Sequence, residues 1–456
     1  SYYSTKTRRL RFWWHLFLAF INRYRLRLIL LLVLLTLVSI GFFKITQKVI
    51  KNNAITIGYV GVYKLENIPS EILTLATGSL ISQDPSGKPI RSLASHWQVT
   101  DDGKTYIVFL RDNLTWHDQT QVDTKDISIA ISNVTITALN NKAIEFKLPN
   151  PISSFPQALN KPVFKTNSFY GTGSYRIVDI DSVQDEVKKI SLVPNDKNLP
   201  YVEIKFYPNE EVALNAFKIG EIKVLKVASA KGLENWPNLT LKKNLDTSEI
   251  VTIFYNTKDN LLSSKELRQA LSYAISKDDF DGETAHSPIA KTSWAFNSET
   301  KIYEYNLAKA KELLAKTNAK GAQITLSVAP GHSELAQSIK KDWEAIGVKI
   351  EIKEEKGIPT NFQAYLVVNK LPQDPDQYSL WHSTQTKTNI PKFANVKIDK
   401  LLEDARTVQD FEERKKLYLD FQRFLVEDAP ATFLYFPNKY QLVYKNAEKL
   451  LDNLPK

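Results

Sequence analysis

The stretch "LILLLVLLTLVSIGFF", Leu28 to Phe43, carries no charge and divides the chain into a short tail and a long body. Sixteen helical residues rise about 24 Å, a little under the roughly 30 Å hydrocarbon core of a bilayer. Leu26 and the flanks lengthen the run, because Arg25 and Arg27 can snorkel to the headgroups. Thr36 and Ser39 can bond back to helix carbonyls, so they do not forbid insertion. One transmembrane helix is therefore expected over residues 26–45, holding the chain to membrane lipid. Residues 1–50 contain nine positive charges and no negative one, and seven of the nine precede the run. The positive-inside rule then sets the N-terminus in the cytoplasm and the body outside, as in a single-pass cell-membrane protein. Within the basic segment 1–25, "LRFWWHLFLAFI" (Leu10 to Ile21) fits an amphipathic helix in the inner headgroup layer. A cleaved signal peptide is the competing reading. No A-x-A-like site follows the run, and Ser39-x-Gly41 matches one poorly.

After a polar stalk (46–53), the body is long enough for two or three domains with real cores, at 43% hydrophobic residues over the 456-residue chain. The net charge of +10 belongs to the tail: the remaining 51 lysines and arginines face 50 acids. The body thus lacks the basic excess that gripping nucleic acid demands. There is no cysteine, which excludes disulfides, thiolate metal sites and a cysteine nucleophile.

Strand-like and helix-like segments mix without a simple βαβ alternation. "AITIGYV" and "TYIVFLR" alternate as strands. "SSKELRQALSYAIS" sets Leu267, Ala270, Leu271, Ala274 and Ile275 on one helical face, with Ser263 or Ser264 as cap. "NLAKAKELLAK" repeats the pattern behind Asn306. "ITLSVAPGHSELAQSIKKDWEAIGVKIEI" reads as strand, loop, helix and strand, with Gly347 ending the helix. "DFEERKKLYLDFQRFLVEDAP" predicts a long helix that Pro430 bars from continuing, with Phe411, Leu417, Phe421, Phe424 and Leu425 on one side. The class is α/β or α+β.

Enzyme chemistry finds little support. No Walker A loop, G-x-G-x-x-G, G-x-S-x-G or H-E-x-x-H occurs. The six histidines (His15, His96, His117, His286, His332, His382) show no metal-ligand spacing within one element. "GTGSY", Gly171 to Tyr175, reads as a tight turn into a strand rather than a phosphate cradle. No catalytic residue, cofactor or metal is assigned.

The order of motifs is more telling than any one of them. "SLASHWQVTDDGKTYIVFLRDNLTWHDQTQVDTKDI" (Ser92 to Ile127) resembles the signature of the extracellular solute-binding proteins of the peptide and nickel type, family 5. Trp97, Asp102, Gly103, Leu110, Arg111, His117, Asp118 and Asp126 match it, while Trp116 and Gln119 replace the usual Phe and Gly. "GTGSYRIV", "ALNAFKIGEIKV", "FYNTKDNLLSSKELRQALSYAISKDDF", "YNLAKAKELLAK", "AIGVKIEI", "DPDQY" and "IDKLLEDARTVQDFEERKKLYLDFQRFLVEDAPATFLYF" follow in the family's order. The resemblance covers about residues 54–450.

The resemblance implies an α/β, two-lobed, periplasmic-binding-protein-like clamp of class II. Lobe I would hold 54–247 and 430–456, and lobe II 248–429, with a hinge near Asn256 and Thr257. Ligand would close the lobes, and the closed form would dock on the permease subunits of an ABC importer. Peptide or another small solute is the implied partner. A family segment between "TKDISIAI" and "VTITALNNKAIEFKLP" is missing here, which leaves one wall of the pocket in question.

Two positions depart from the peptide-binding pattern. Aligned on Asp374-Pro375, the places where a peptide receptor carries Trp and Asp hold Val368 and Leu371. A ligand ammonium there would lack its usual carboxylate unless Asp374 or Asp376 substitutes. The implied ligand-binding residues are Trp294, Tyr378, Trp381 and His382, with Asp374, Leu371 and Val368. Core packing or capping is the competing role for each; Asp376 could cap a helix from Gln377. Two functional classes follow: a membrane-tethered solute receptor, or a clamp that lost its ligand and serves as an interaction scaffold at the cell surface.

Overall fold

The computed structural model describes Trp13, Trp14, Arg23, Tyr24 and residues 53–455 apart from Glu234. The anticipated membrane span, 26–45, lies outside the described residues. Among the described residues no helix is long and apolar enough to cross a membrane.

Strands dominate the first half of the body. They are β1 (Ala54–Val60), β2 (Ile81–Gln83), β3 (Pro89–Arg91), β4 (Ala94–Thr100), β5 (Thr105–Leu110), β6 (Thr135–Asn140), β7 (Ala143–Lys147), β8 (Tyr175–Val183), β9 (Glu186–Pro194), β10 (Tyr201–Tyr207), β11 (Val224–Val227) and β12 (Leu239–Leu245). The second half adds β13 (Glu249–Tyr255), β14 (Gly282–Thr284), β15 (Gln323–Val328), β16 (Lys349–Glu354), β17 (Ala364–Lys370) and β18 (Ala431–Tyr444). The helices packed on them include α1 (Glu210–Lys218), α2 (Lys265–Tyr273), α3 (Leu307–Leu314), α4 (Ser333–Glu344), the one-turn α5 (Tyr378–Trp381), α6 (Val396–Thr407) and α7 (Phe411–Asp428).

Local chemistry explains the helix bounds. Ser264 accepts the Leu267 N–H at 3.2 Å and starts α2, while Asn306 accepts that of Lys309 at 2.9 Å and starts α3. Asp410 does the same for α7 through Glu413 at 2.9 Å. Gly347 follows α4 with φ +97°, the left-handed stop that glycine takes without a Cβ penalty. Gly171 and Gly173 pass so close to the Ala76 carbonyl that a Cβ would meet its oxygen at 2.1 and 2.8 Å. The "GTG" stretch is thus a close-packed turn into β8.

Twelve strands share one sheet, ordered β16-β15-β17-β13-β18-β11-β1-β10-β9-β8, with β12 and β14 also against β18. β18 lets one sheet serve two lobes. Its first half pairs with β13 and β14, its second half with β11 and β12. The partners change at Pro437 and Asn438, and Pro437 has no N–H with which to continue a ladder. The other crossing is Asp246 to Ser248, between β12 and β13. The second change of pairing therefore falls inside β18.

The residues expected at the hinge lie just past one end of a lobe II strand. Asn256 and Thr257 follow the far end of β13, tied to Gln363, Phe362 and Pro391 of the same lobe. They are lobe II anchors. Backbone pairing passes from one lobe to the other at the two crossings.

A third unit rises from lobe I. The sheet β4-β5-β7-β6 and the β2–β3 hairpin enclose Tyr106, Trp116, Phe146 and Phe155. Lobe II has two cores, one on each face of its sheet, around Trp343 and around Trp381.

A candidate ligand cleft at the lobe junction

Three cavities of about 460, 500 and 610 Å³ adjoin the crossings. Glu71 borders the first two, and Ala228 and Lys439 border the last two. A groove at a domain junction, with a few polar groups among apolar walls, is the usual form of a small-molecule site.

The 460 Å³ chamber draws a wall from every unit. Lobe I supplies Ser70 and Glu71, and lobe II supplies residues from Pro288–Ser293 and Leu371–Gln377. The third unit supplies Pro85 and Ser86, from the β2–β3 turn. That turn is the third unit's share of the chamber wall. The Ser86 carbonyl accepts the Trp294 N–H at 3.1 Å, and the Asp84 carbonyl accepts Gln373 Nε2 at 3.3 Å. Further bonds fasten the third unit to lobe II: Ser153 Oγ to the Ala405 carbonyl at 2.8 Å, and Ser154 Oγ to Asp376 Oδ2 at 2.8 Å.

The segment "NKLPQDPDQYSLWHS" leaves β17 and turns at the chamber. The Leu371 N–H donates to the Ser248 carbonyl at 2.8 Å, which ties the segment to the first crossing. Val368 borders the 610 Å³ chamber and Leu371 the 460 Å³ chamber. The two positions that depart from the peptide-binding pattern thus each border a cavity.

The other expected contacts turn elsewhere. Asp374 is 3% exposed and held by Arg414, so it is not a free polar anchor. Burial pushes its carboxyl upward, while the facing guanidinium pulls it back. Asp376 holds Arg406 at 2.9 Å and accepts the Tyr378 N–H at 3.1 Å, a capping role one residue outside the expected one. Tyr378 is sandwiched, with His382 stacked at 4.1 Å and the Arg406 guanidinium 4.0 Å from its ring. Trp381 is buried on Phe254 and Phe433, and its indole N–H reaches Gln377 at 3.1 Å. His382 bonds Thr384 and Glu403 at 2.8 and 3.2 Å. Trp294 packs on Phe411 at 4.3 Å, although its neighbours Thr292 and Ser293 do line the chamber. These four rings fill lobe II rather than the groove, because Gln377 onward winds into α5 and packs on α6.

Sequence reasoning missed the charged residues of the groove. Glu71 and Lys226 face each other at 3.7 Å, and Lys439 pairs with Glu249 at 2.8 Å. Neither Glu71 nor Lys226 stands in a motif. Burial, followed by the Glu71 charge, raises the Tyr59 hydroxyl far above its ordinary value. Asp281 was missed too. It accepts Asn438 Nδ2 at 2.9 Å, the Tyr440 hydroxyl at 2.7 Å and Lys243 Nζ at 2.9 Å, so it grips the lobe I half of β18 from lobe II. Only the turn signature "DPSGKP" could have flagged the β2–β3 contact.

Comparison with known proteins agrees with this architecture. The family model of bacterial extracellular solute-binding proteins, family 5 Middle, matches residues 128–390. The oligopeptide-binding protein AppA of Bacillus subtilis is 24% identical over 464 residues, spanning 85% of each chain. Among solved structures, the ABC transporter substrate-binding protein CtaP of Listeria monocytogenes superposes with a TM-score of 0.73 at 20% identity, over 86% of this chain and 94% of that one. NikZ of Campylobacter jejuni, solved with Ni(L-His), gives 0.70 at 22% identity, with the same coverage of 86% and 94%. With its two lobes joined at a divided strand and a groove at their junction, the chain belongs to the bacterial extracellular solute-binding proteins, family 5.

Proposed function

We propose that this protein is a membrane-tethered extracellular receptor that captures a peptide-like solute and delivers it to the permease subunits of an ABC importer. The observation that carries the proposal is the chambered groove at the two crossings, where a bound solute would touch both lobes at once. A solute that contacts both walls stabilises the closed arrangement by its differential affinity for it. The named relative AppA binds oligopeptides, and an extended chain suits neighbouring chambers better than one compact pocket would. Binding, not catalysis, is the role such a groove supports. The tether is the uncharged run Leu28 to Phe43 behind its basic flank.

At Leu371 the solute presents an uncharged group. An ammonium buried against Leu371, Pro372 and Ile289 would lose its hydration without a carboxylate partner on that wall, at a cost of several kcal/mol. The scaffold alternative predicts a groove filled by its own side chains, and open chambers of several hundred Å³ favour the receptor.

The test is native mass spectrometry of the full chain in lipid nanodiscs with a library of dipeptides to pentapeptides. Stoichiometric retention of library members is expected. No retention at millimolar peptide would remove the receptor reading. Alkaline extraction of membranes tests the tether, since release into the soluble fraction would contradict it.

A further inference from the structure

We infer that Glu71 is the cation anchor of the groove and receives an ammonium group of the solute, displacing Lys226. This rests on the receptor reading above. Among the described residues that line the 460 Å³ chamber, Glu71 alone is charged. The rest of the wall offers proline, aliphatic, amide and hydroxyl groups. A positive group entering this chamber has one carboxylate to meet.

Glu71 is also available. Its partner Lys226 stands at 3.7 Å, beyond hydrogen-bond length, and the two side chains are 53% and 59% exposed. Such a pair is held loosely and exchanges partners at little cost. Several other acids of the groove are committed. Asp246 accepts both the N–H and the hydroxyl of Ser248 at 3.0 and 2.6 Å. Glu210 accepts the Ala228 N–H at 3.0 Å, and Asp281 serves three donors.

The surroundings prepare Glu71 for this task. Tyr59, on the wall of the 500 Å³ chamber that Glu71 also borders, keeps its own proton through burial and the Glu71 charge. Because Glu71 borders two chambers, an ammonium held there leaves the solute free to extend either toward Leu371 or toward Lys439. The cation site therefore lies on lobe I, and the apolar contact on lobe II.

Isothermal titration of the full chain with tetra-alanine and its N-acetyl form separates the possibilities. Wild type is expected to favour the free amine by about tenfold or more, the scale of a charge-assisted hydrogen bond. Glu71→Gln should level the two affinities. Lys226→Ala removes the competing cation, so it should widen the preference for the free-amine form over the acetylated one. Equal affinities in wild type, or a preference that survives Glu71→Gln, would overturn the anchor while leaving peptide capture intact. Failure of both forms to bind wild type would overturn peptide capture and the anchor with it.

Discussion

Arg414 grips Asp374 with both guanidinium nitrogens, Nη1 to Oδ2 at 3.0 Å and Nη2 to Oδ1 at 2.5 Å, in a pair whose side chains are 7% and 4% exposed. The bond joins α7 to the segment that carries Leu371. Two further donors are used as well: Nη2 also meets the Tyr418 hydroxyl at 3.0 Å, and Nε meets the Ala405 carbonyl at 3.1 Å. Four of the five N–H groups are thus engaged, which makes the buried charge tolerable. The ion pair therefore acts as a rivet behind the groove wall.

Removing half of the rivet should cost far more than removing all of it. Asp374→Ala strands a buried guanidinium and is expected to lower stability by about 3–5 kcal/mol in urea titration. The double change Asp374→Leu with Arg414→Met leaves no orphan charge and should recover most of that loss. Equal damage by the single and the double change would contradict the reading.

Gly87 allows the β2–β3 turn to reach lobe II. Its φ is +90°, and a Cβ there would stand 2.2 Å from the Gln373 carbonyl oxygen. Backbone cannot yield as a flexible side chain would, so Gly87→Ala should push the turn off the chamber wall. Strain of about 1–3 kcal/mol is the expected scale. Small-angle scattering should report a larger radius of gyration, and peptide affinity should fall. A variant as compact as wild type would refute the contact's role in closure.

These contacts explain what the chain did and did not reveal before folding. Ser264, Asn306 and Gly347 announced their helix ends because capping is a local event, settled within three or four residues. The collinear motifs likewise revealed the family. "DPD" misled, because two acids around a proline look open to a ligand when their partners are distant. Arg414 lies 40 positions beyond Asp374, and nothing local announces the pair. The change of partners within β18 was hidden for a similar reason, because it exists only once strands from both lobes lie beside Pro437 and Asn438. Glu71 was invisible because a single acid in a one-turn helix has no periodicity to stand out from.

Asp281 couples the crossing to acidity. Burial raises its carboxyl, but bonds from Tyr440, Lys243 and Asn438 outweigh that and leave it below its ordinary value. The folded state thus favours the charged form. Its contribution is complete above the unfolded value, near pH 4, and is lost as pH falls through the lower folded value. The side chain is half exposed, so screening limits the effect to about 0.5–1 kcal/mol. Urea midpoints measured from pH 5 to pH 2.5 should fall more steeply in wild type than in Asp281→Asn. Parallel slopes would exclude Asp281 as the source.

Ala429 ends α7 in the left-handed region, at φ 48° and ψ 48°, where an L side chain costs roughly 1–2 kcal/mol. The strain persists because the surroundings need that geometry. Its N–H caps the carbonyls of Leu425 and Val426 at 3.1 and 3.2 Å, and its own carbonyl accepts buried Arg268 Nε at 2.9 Å. Arg268 also takes the carbonyls of Asp428 at 2.6 Å and Leu262 at 2.8 Å, so the end of α7 and the loop before α2 meet at one α2 side chain. Glycine relieves the strain but gives up roughly 0.5–1 kcal/mol in backbone entropy. Ala429→Gly should therefore stabilise the protein by up to about 1 kcal/mol, read as a raised urea midpoint with an unchanged slope. Arg268→Lys keeps the charge but cannot span the same carbonyls, and should cost about 2–3 kcal/mol. A destabilised Ala429→Gly would mean that the Ala429 methyl, fully buried in the lobe II core, contributes more packing than its backbone costs in strain.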